Sequence, residues 1–159
     1  MPRVLGLDFG TRRVGAAISD PRGLIASPLE VHERRDPAQD AQHYQHLVRE
    51  HEVDSIVIGL PLHTGGREGT SASLARAWGN WLSQVTGLDV VYFDERFTTV
   101  EAEETLIASG LKRQKRKSLR DMLAAQILLQ NFLDAGCPRN EAPAAPLADP
   151  AEPENGEPR

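Results

Sequence analysis

At 159 residues with a single cysteine, Cys137, the chain suits one ordinary domain with its own core, and it can form neither an intramolecular disulfide nor a cysteine-based zinc site. The net charge of -5 does not by itself point to a nucleic-acid partner. No window approaches the ~18–20 apolar residues of a membrane span, and no basic stretch leads into an apolar segment at the N-terminus, so the sequence reads as cytoplasmic.

Residues 3–8, 13–19 and 24–31 are rich in Val, Ile, Leu and Ala. They are separated by Gly-Thr-Arg and by Asp20-Pro21-Arg22-Gly23, and they predict three strands joined by tight turns. From Pro37 to about His51, Ala41, Tyr44, Leu47 and Val48 recur at helical spacing, and Ser55-Ile56-Val57-Ile58-Gly59 follows as a buried strand. A glycine-rich loop, Pro61 to Thr70, leads to a second helical stripe of Leu74, Trp78, Trp81, Leu82 and Val85, which ends at Gly87. Asp89 to Phe93 is the next strand, Thr98 to about Ser109 a third helix, and Ser118 to Ala135 a fourth, preceded by a basic loop. The order βββαβαβαα predicts an α/β domain: a mixed five-stranded sheet with helices on both faces, because parallel crossovers place helices there. Residues 1–136 form this domain. From Cys137 to Arg159 the chain is rich in Pro, Ala and Glu and is expected to be a disordered tail. That tail holds Glu141, Asp149, Glu152, Glu154 and Glu157 against Arg139 and Arg159, which leaves the domain nearer neutrality.

In such sheets ligands gather at the carboxyl ends of strands. Asp8 interrupts the apolar run Val4-Leu5-Gly6-Leu7 at one such end, and an ionised side chain is rarely buried without a partner, a metal or a function. Asp94-Glu95 ends the last strand. Asp121 lies on the helical stripe that includes Ala124, Ala125, Leu128 and Phe132, so it is expected to face the sheet. Taken singly, Asp8 also reads as a turn aspartate, Glu95 as a solvent-facing residue, and Ser118-x-x-Asp121 as a capping box. Taken together, three carboxylates without a cysteine or Asx-rich ligand loop suit Mg²⁺ or Mn²⁺, as one ion or two. Such ions serve phosphodiester cleavage by water with no nucleophilic Ser or Cys.

Lys112, Arg113, Lys115, Arg116, Lys117 and Arg120 fall within nine residues. Alone the run reads as a solvated basic loop. Directly ahead of Asp121 it reads as a phosphate contact, which provides affinity but little sequence information. The loop Leu62 to Thr70 offers a helix N-terminus to a phosphate, or is a plain connection. His43, His46 and His51 read as surface residues of the first helix, with no ligand set around them, and Trp78 and Trp81 read as core.

The segments Gly6-Leu7-Asp8-Phe9-Gly10-Thr11-Arg12-Arg13-Val14-Gly15, Ile58-Gly59-Leu60-Pro61, Asp94-Glu95-Arg96-Phe97-Thr98-Thr99 and Asp121-x-x-Ala124-Ala125, in this order, resemble the YqgF family over roughly residues 3–135. The resemblance implies an RNase H-like fold. It also implies an activity, since members are described as Holliday-junction resolvases and as nucleases that process the end of precursor 16S ribosomal RNA. Carried over by position, Asp8, Glu95 and Asp121 become metal-binding catalytic acids, the same trio that the residues themselves single out. Thr11, Arg12, Arg96, Thr98 and Thr99 become substrate contacts, with Lys112, Arg113, Lys115, Arg116 and Lys117 beside them. Thr98 also fits a helix cap with Glu101.

Two other functions compete. A non-catalytic nucleic-acid-binding or ribosome-assembly module would keep the fold without the hydrolysis. Asp8-Phe9-Gly10-Thr11 also looks like the first phosphate motif of actin and sugar-kinase ATPases, which generally need two related domains where this chain supplies one. The partner expected is precursor rRNA or branched DNA, and a phosphodiester-cleaving site is compatible with both. Symmetric junction cleavage favours a homodimer, whereas trimming an RNA end is work a monomer can do.

Overall fold

The computed structural model describes residues 3–61, 69–94 and 113–138, with side chains in the last span from Leu119 onward. In chain order the elements are β1 (Arg3–Phe9), β2 (Arg13–Ser19), β3 (Ala26–Glu33), α1 (Pro37–Glu50), β4 (Val53–Leu60), α2 (Thr70–Thr86), β5 (Asp89–Asp94) and α3 (Arg113–Asp134). They form a five-stranded sheet ordered β3-β2-β1-β4-β5. The β1–β2 and β2–β3 pairs are antiparallel, while β1–β4 and β4–β5 are parallel. This is the mixed α/β arrangement expected from the sequence. The third helix foreseen at 98–109 and the tail from residue 139 lie outside the described residues.

Strand alternation sorts the core onto two faces. Leu5, Leu7, Val14, Ala16, Ile56 and Ile58 pack with Tyr44 and Leu47 of α1 and with Ala75, Trp78 and Leu82 of α2. Ala17, Ala26 and Val57 face the other way, against Ala125, Leu129, Phe132 and Leu133 of α3, with Val91 and Phe93 joining them. The middle of β4 is buried on both sides, as a strand between parallel neighbours under helices requires. Helix α1 starts where Asp36 accepts the Gln39 amide at 2.8 Å with Pro37 at the first turn, and α2 stops at Gly87, whose φ of 75° makes the left-handed cap. The Tyr92 hydroxyl ties β5 to α2, reaching Arg76 O at 3.0 Å and Asn80 Oδ1 at 2.9 Å.

Helix α3 sits directly on the backbone of the first hairpin. A Cβ on Gly6 would lie 2.8 Å from Leu129 Cβ, and one on Gly15 would fall inside the main-chain carbonyl of Asp121. The helix also grips the start of β3. Gln130 accepts from Ala26 N at 2.9 Å and donates to Leu24 O at 2.9 Å, and Gln126 donates to Ala26 O at 3.2 Å.

Several expectations need correction. Leu24 and Ile25 precede β3 rather than belonging to it, because Asp20 Oδ1 takes both their amides, at 2.7 and 2.9 Å, and folds them into the turn. Helix α3 begins at Arg113, so the expected basic loop is largely helix: no Gly or Pro interrupts 113–121, and Arg, Lys and Gln are good helix formers. Ser118 is therefore interior and cannot cap that helix. Leu74 is exposed, and Ala72, Ala75 and Gly79 take the inner face of α2 with Trp78 and Leu82, because small residues let that helix approach the sheet.

Replacing Gly15 with alanine should destabilise the fold by about 1–3 kcal/mol or more, since backbone rather than a flexible side chain stands in the way; urea denaturation measures it. Tyr44 is buried, and its hydroxyl has no partner among the described residues. Tyr44→Phe should accordingly raise stability by about 1 kcal/mol, the order of an unsatisfied polar group's penalty. Burial pushes the pKa of Tyr44 and of Tyr92 upward, the latter to about 12. Stability is therefore independent of these ionisations below the ordinary tyrosine value of 10.0, and it falls progressively as pH rises from there toward the folded values, because the unfolded phenols ionise first. Denaturation between pH 9 and 11 should show this fall, shallower in Tyr44→Phe.

Candidate active site

Because β1, β4 and β5 run parallel, their carboxyl ends at Phe9, Leu60 and Asp94 lie along one edge of the sheet. Leu60 pairs in register with Asp94. Along β1, Leu5 and Leu7 face α1 and α2, so Gly6 and Asp8 face α3. Asp8 is opposite Gly15 on β2. It is at Gly15 that the α3 main chain makes its close approach, at residue 121. The topology thus brings Asp8 and Asp121, more than a hundred residues apart in sequence, to one face at one end of the sheet.

Asp121 is held there by Arg13 of β2, whose Nε donates to Asp121 Oδ2 at 3.0 Å with both side chains partly buried. One carboxylate oxygen is fixed by the guanidinium, and a charged pair in so sheltered a place is oriented by this bond. Arg13 is not among the residues that the sequence patterns single out. A signal for it exists all the same: strand alternation puts it on the same face as Gly15 and Ala17, the face that α3 covers.

The β1–β2 turn is clamped from the other side. Arg34 Nη1 donates to Thr11 O at 3.0 Å and lies 3.4 Å from Gly10 O, Arg34 N donates to Arg12 O at 2.9 Å, and the guanidinium stacks 4.9 Å from the Phe9 ring centroid. Thr11 and Arg12 are therefore exposed on a backbone held in place, beside Asp8. No local pattern marks Arg34 for this role, which depends on the β2–β3 pairing.

Glu95, Arg96, Thr98, Thr99 and Lys112 lie outside the described residues, as does the loop 62–68. The main chain of Arg113, Lys115, Arg116 and Lys117 forms the opening turns of α3, two turns ahead of Asp121. The histidines read as surface residues divide. His46 is exposed and pairs with Glu50 at 3.1 Å, whereas His43 is sheltered against Glu30 and stacked on His32. Trp78 is core, as expected, with Trp81 partly buried beside it.

The chain matches the family model described as "RuvX: Holliday junction resolvase" over residues 2–135. A Rhodopirellula baltica protein named "Putative pre-16S rRNA nuclease" is 41% identical over 147 residues, which are 92% of this chain and 85% of that one. A Lactococcus lactis protein of the same name is 42% identical over 135 residues, covering 84% and 94%. Among solved structures, Thermus thermophilus RuvC in complex with a Holliday junction substrate superposes with a TM-score of 0.52 at 18% identity, over 86% of this chain and 96% of that one, a likeness of fold. The sequence match over nearly all of residues 2–135 and the RNase H-like sheet agree, and the chain belongs to the RuvX family, which is the YqgF family of the sequence resemblance.

Proposed function

We propose that this protein is a divalent-metal-dependent nuclease that hydrolyses phosphodiester bonds of structured nucleic acid. The observation that carries this reading is the seating of Asp121 over Gly15, in register with Asp8, at the carboxyl edge of the sheet. Both side chains offer only carboxylate oxygens, one of which Arg13 aligns at 3.0 Å, a donor set that suits a hard ion such as Mg²⁺ or Mn²⁺. Asp8 and Asp121 would hold the ion together with Glu95, the residue that follows Asp94 in the sequence. A bound ion of this kind activates water and neutralises charge on the leaving oxygen.

The remaining work falls to the chain itself. Arg13 orients Asp121, and Arg34 holds the turn that presents Thr11 and Arg12 toward substrate phosphates. Arg113, Lys115, Arg116 and Lys117, at the start of the helix that bears Asp121, attract the nucleic-acid backbone. The names of the relatives point to precursor 16S rRNA and that of the family to a four-way DNA junction, so these two are the substrates proposed. Residues 1–136 are proposed as the catalytic domain and the cytoplasm as its place of work. Among the described residues no helix is long and apolar enough to cross a membrane.

A cleavage panel of precursor rRNA, junction DNA and duplex DNA in Mg²⁺ or Mn²⁺ tests the reading. Asp8→Asn should abolish cleavage while leaving binding and the melting curve near wild type, and full activity in that variant would remove Asp8 from the site. Arg13→Ala should lower activity by about 10–100-fold, the usual effect of losing a group that positions a metal ligand. Lys115→Ala and Arg116→Ala together should weaken binding to all substrates alike and reduce the salt slope by about one for each phosphate that is no longer neutralised. Binding without cleavage by wild type in either metal would favour the assembly-module reading instead.

A further inference from the structure

On the face of the sheet away from Asp121 lies a second group of potential ligands. Glu30 and His32 are two apart on β3 and so share a face, over which α1 carries His43. One ligand atom from each of the three lies within 4.8 Å of the others, and His43 Nε2 is 2.6 Å from Glu30 Oε2. His32 Nε2 is 2.8 Å from Oδ1 of Asp40, a carboxylate that is 4% exposed and also receives the Arg35 amide. Beside the group is an open groove of about 550 Å³ lined by His32, Arg35, Gln39, Gln42 and His43.

We propose that Glu30, His32 and His43 form a binding site for a borderline transition ion, with Zn²⁺ the best fit, separate from the carboxylate centre. Two imidazoles and one carboxylate are a recognised three-ligand set for zinc with one position left open, and imidazole selects against Mg²⁺. Asp40 supplies what such sites need behind the ligand: with Nε2–H donated to a buried carboxylate, His32 keeps its Nδ1 lone pair for the metal. The groove is the route of entry, and Arg35 on its wall favours an anion or water at the open position.

The two imidazole rings stack at 3.9 Å with 11° between their planes, so in this arrangement their in-plane lone pairs do not converge. Metal capture therefore requires one ring to turn. His43 is the ring with room, its side chain 28% exposed against 13% for His32, and rotation about its terminal torsion is soft. Loading would fasten the edge strand β3 to α1, two residues before the Arg34 that holds the β1–β2 turn.

The test uses the full chain stripped of metal and titrated with Co²⁺, then Zn²⁺. One equivalent of Co²⁺ should produce the intense visible bands of four- or five-fold coordination, Zn²⁺ should displace them, and the melting temperature should rise with Zn²⁺ concentration. Glu30→Gln and His43→Gln, both at partly exposed positions, should lose these bands and the thermal shift while melting normally without metal. Asp40→Asn should weaken binding by about 10–100-fold. Asp8→Asn and Cys137→Ser should retain the full signal, which separates this site from the carboxylate centre and from the lone thiol. Absence of the bands in wild type, or bands that persist in both Glu30→Gln and His43→Gln, would overturn the proposal.

Discussion

At Gly15 the hairpin of β1 and β2 has no side chain, and the main chain of α3 occupies that space at Asp121. Gly6 repeats the arrangement two strand positions away from Asp8, beneath Leu129. These contacts fix the height and the register of the last helix on the sheet, and almost everything about the proposed centre follows from them. A helix resting on side chains would stand farther off the sheet, whereas one resting on bare backbone brings its carboxylate closer to the strand ends. The Arg13–Asp121 bond then holds in rotation what the glycines hold in height.

How far these features can be read in the residues depends on the range of the interaction that sets them. Strand β2 has the bounds its residues predict, and α2 ends at Gly87 as expected, because turns and caps are written in adjacent residues. Asp8 is conspicuous because it breaks an apolar run, and Asp121 because it shares the 3.6-residue period of a buried stripe. The start of α3 escapes pattern reading for a different reason: a dense run of Lys and Arg resembles a loop in composition while having the intrinsic propensity of a helix. Leu24 and Ile25 have strand chemistry but lose their amides to Asp20.

Arg34 and the Glu30–His32–His43 group are illegible for a third reason. Each depends on the lateral pairing of β3 or on the crossing of α1 over it, and neither leaves a mark in local spacing. His43 looks like one more surface histidine because its partners are 11 and 13 residues away on another element. The carboxylate centre can be inferred because chain topology alone brings strand ends together. The histidine group cannot, because it requires knowing which face of an edge strand a helix covers.

That edge strand has a bearing on how copies of the molecule meet. Among the described residues β3 is the last strand on its side of the sheet, and such an edge is a template for pairing with another chain. Its first main-chain groups are already taken by Gln126 and Gln130 of α3, Pro28 offers no amide, and the ladder to β2 shifts register between Ala16 and Ala17, as a bulge does. Three interruptions in so short a strand leave no uninterrupted row of donors and acceptors for a neighbour to zip onto. A sheet continued from one copy into the next through β3 is thereby disfavoured, which protects the molecule from fibre-like association and leaves any pairing of two copies to other surfaces.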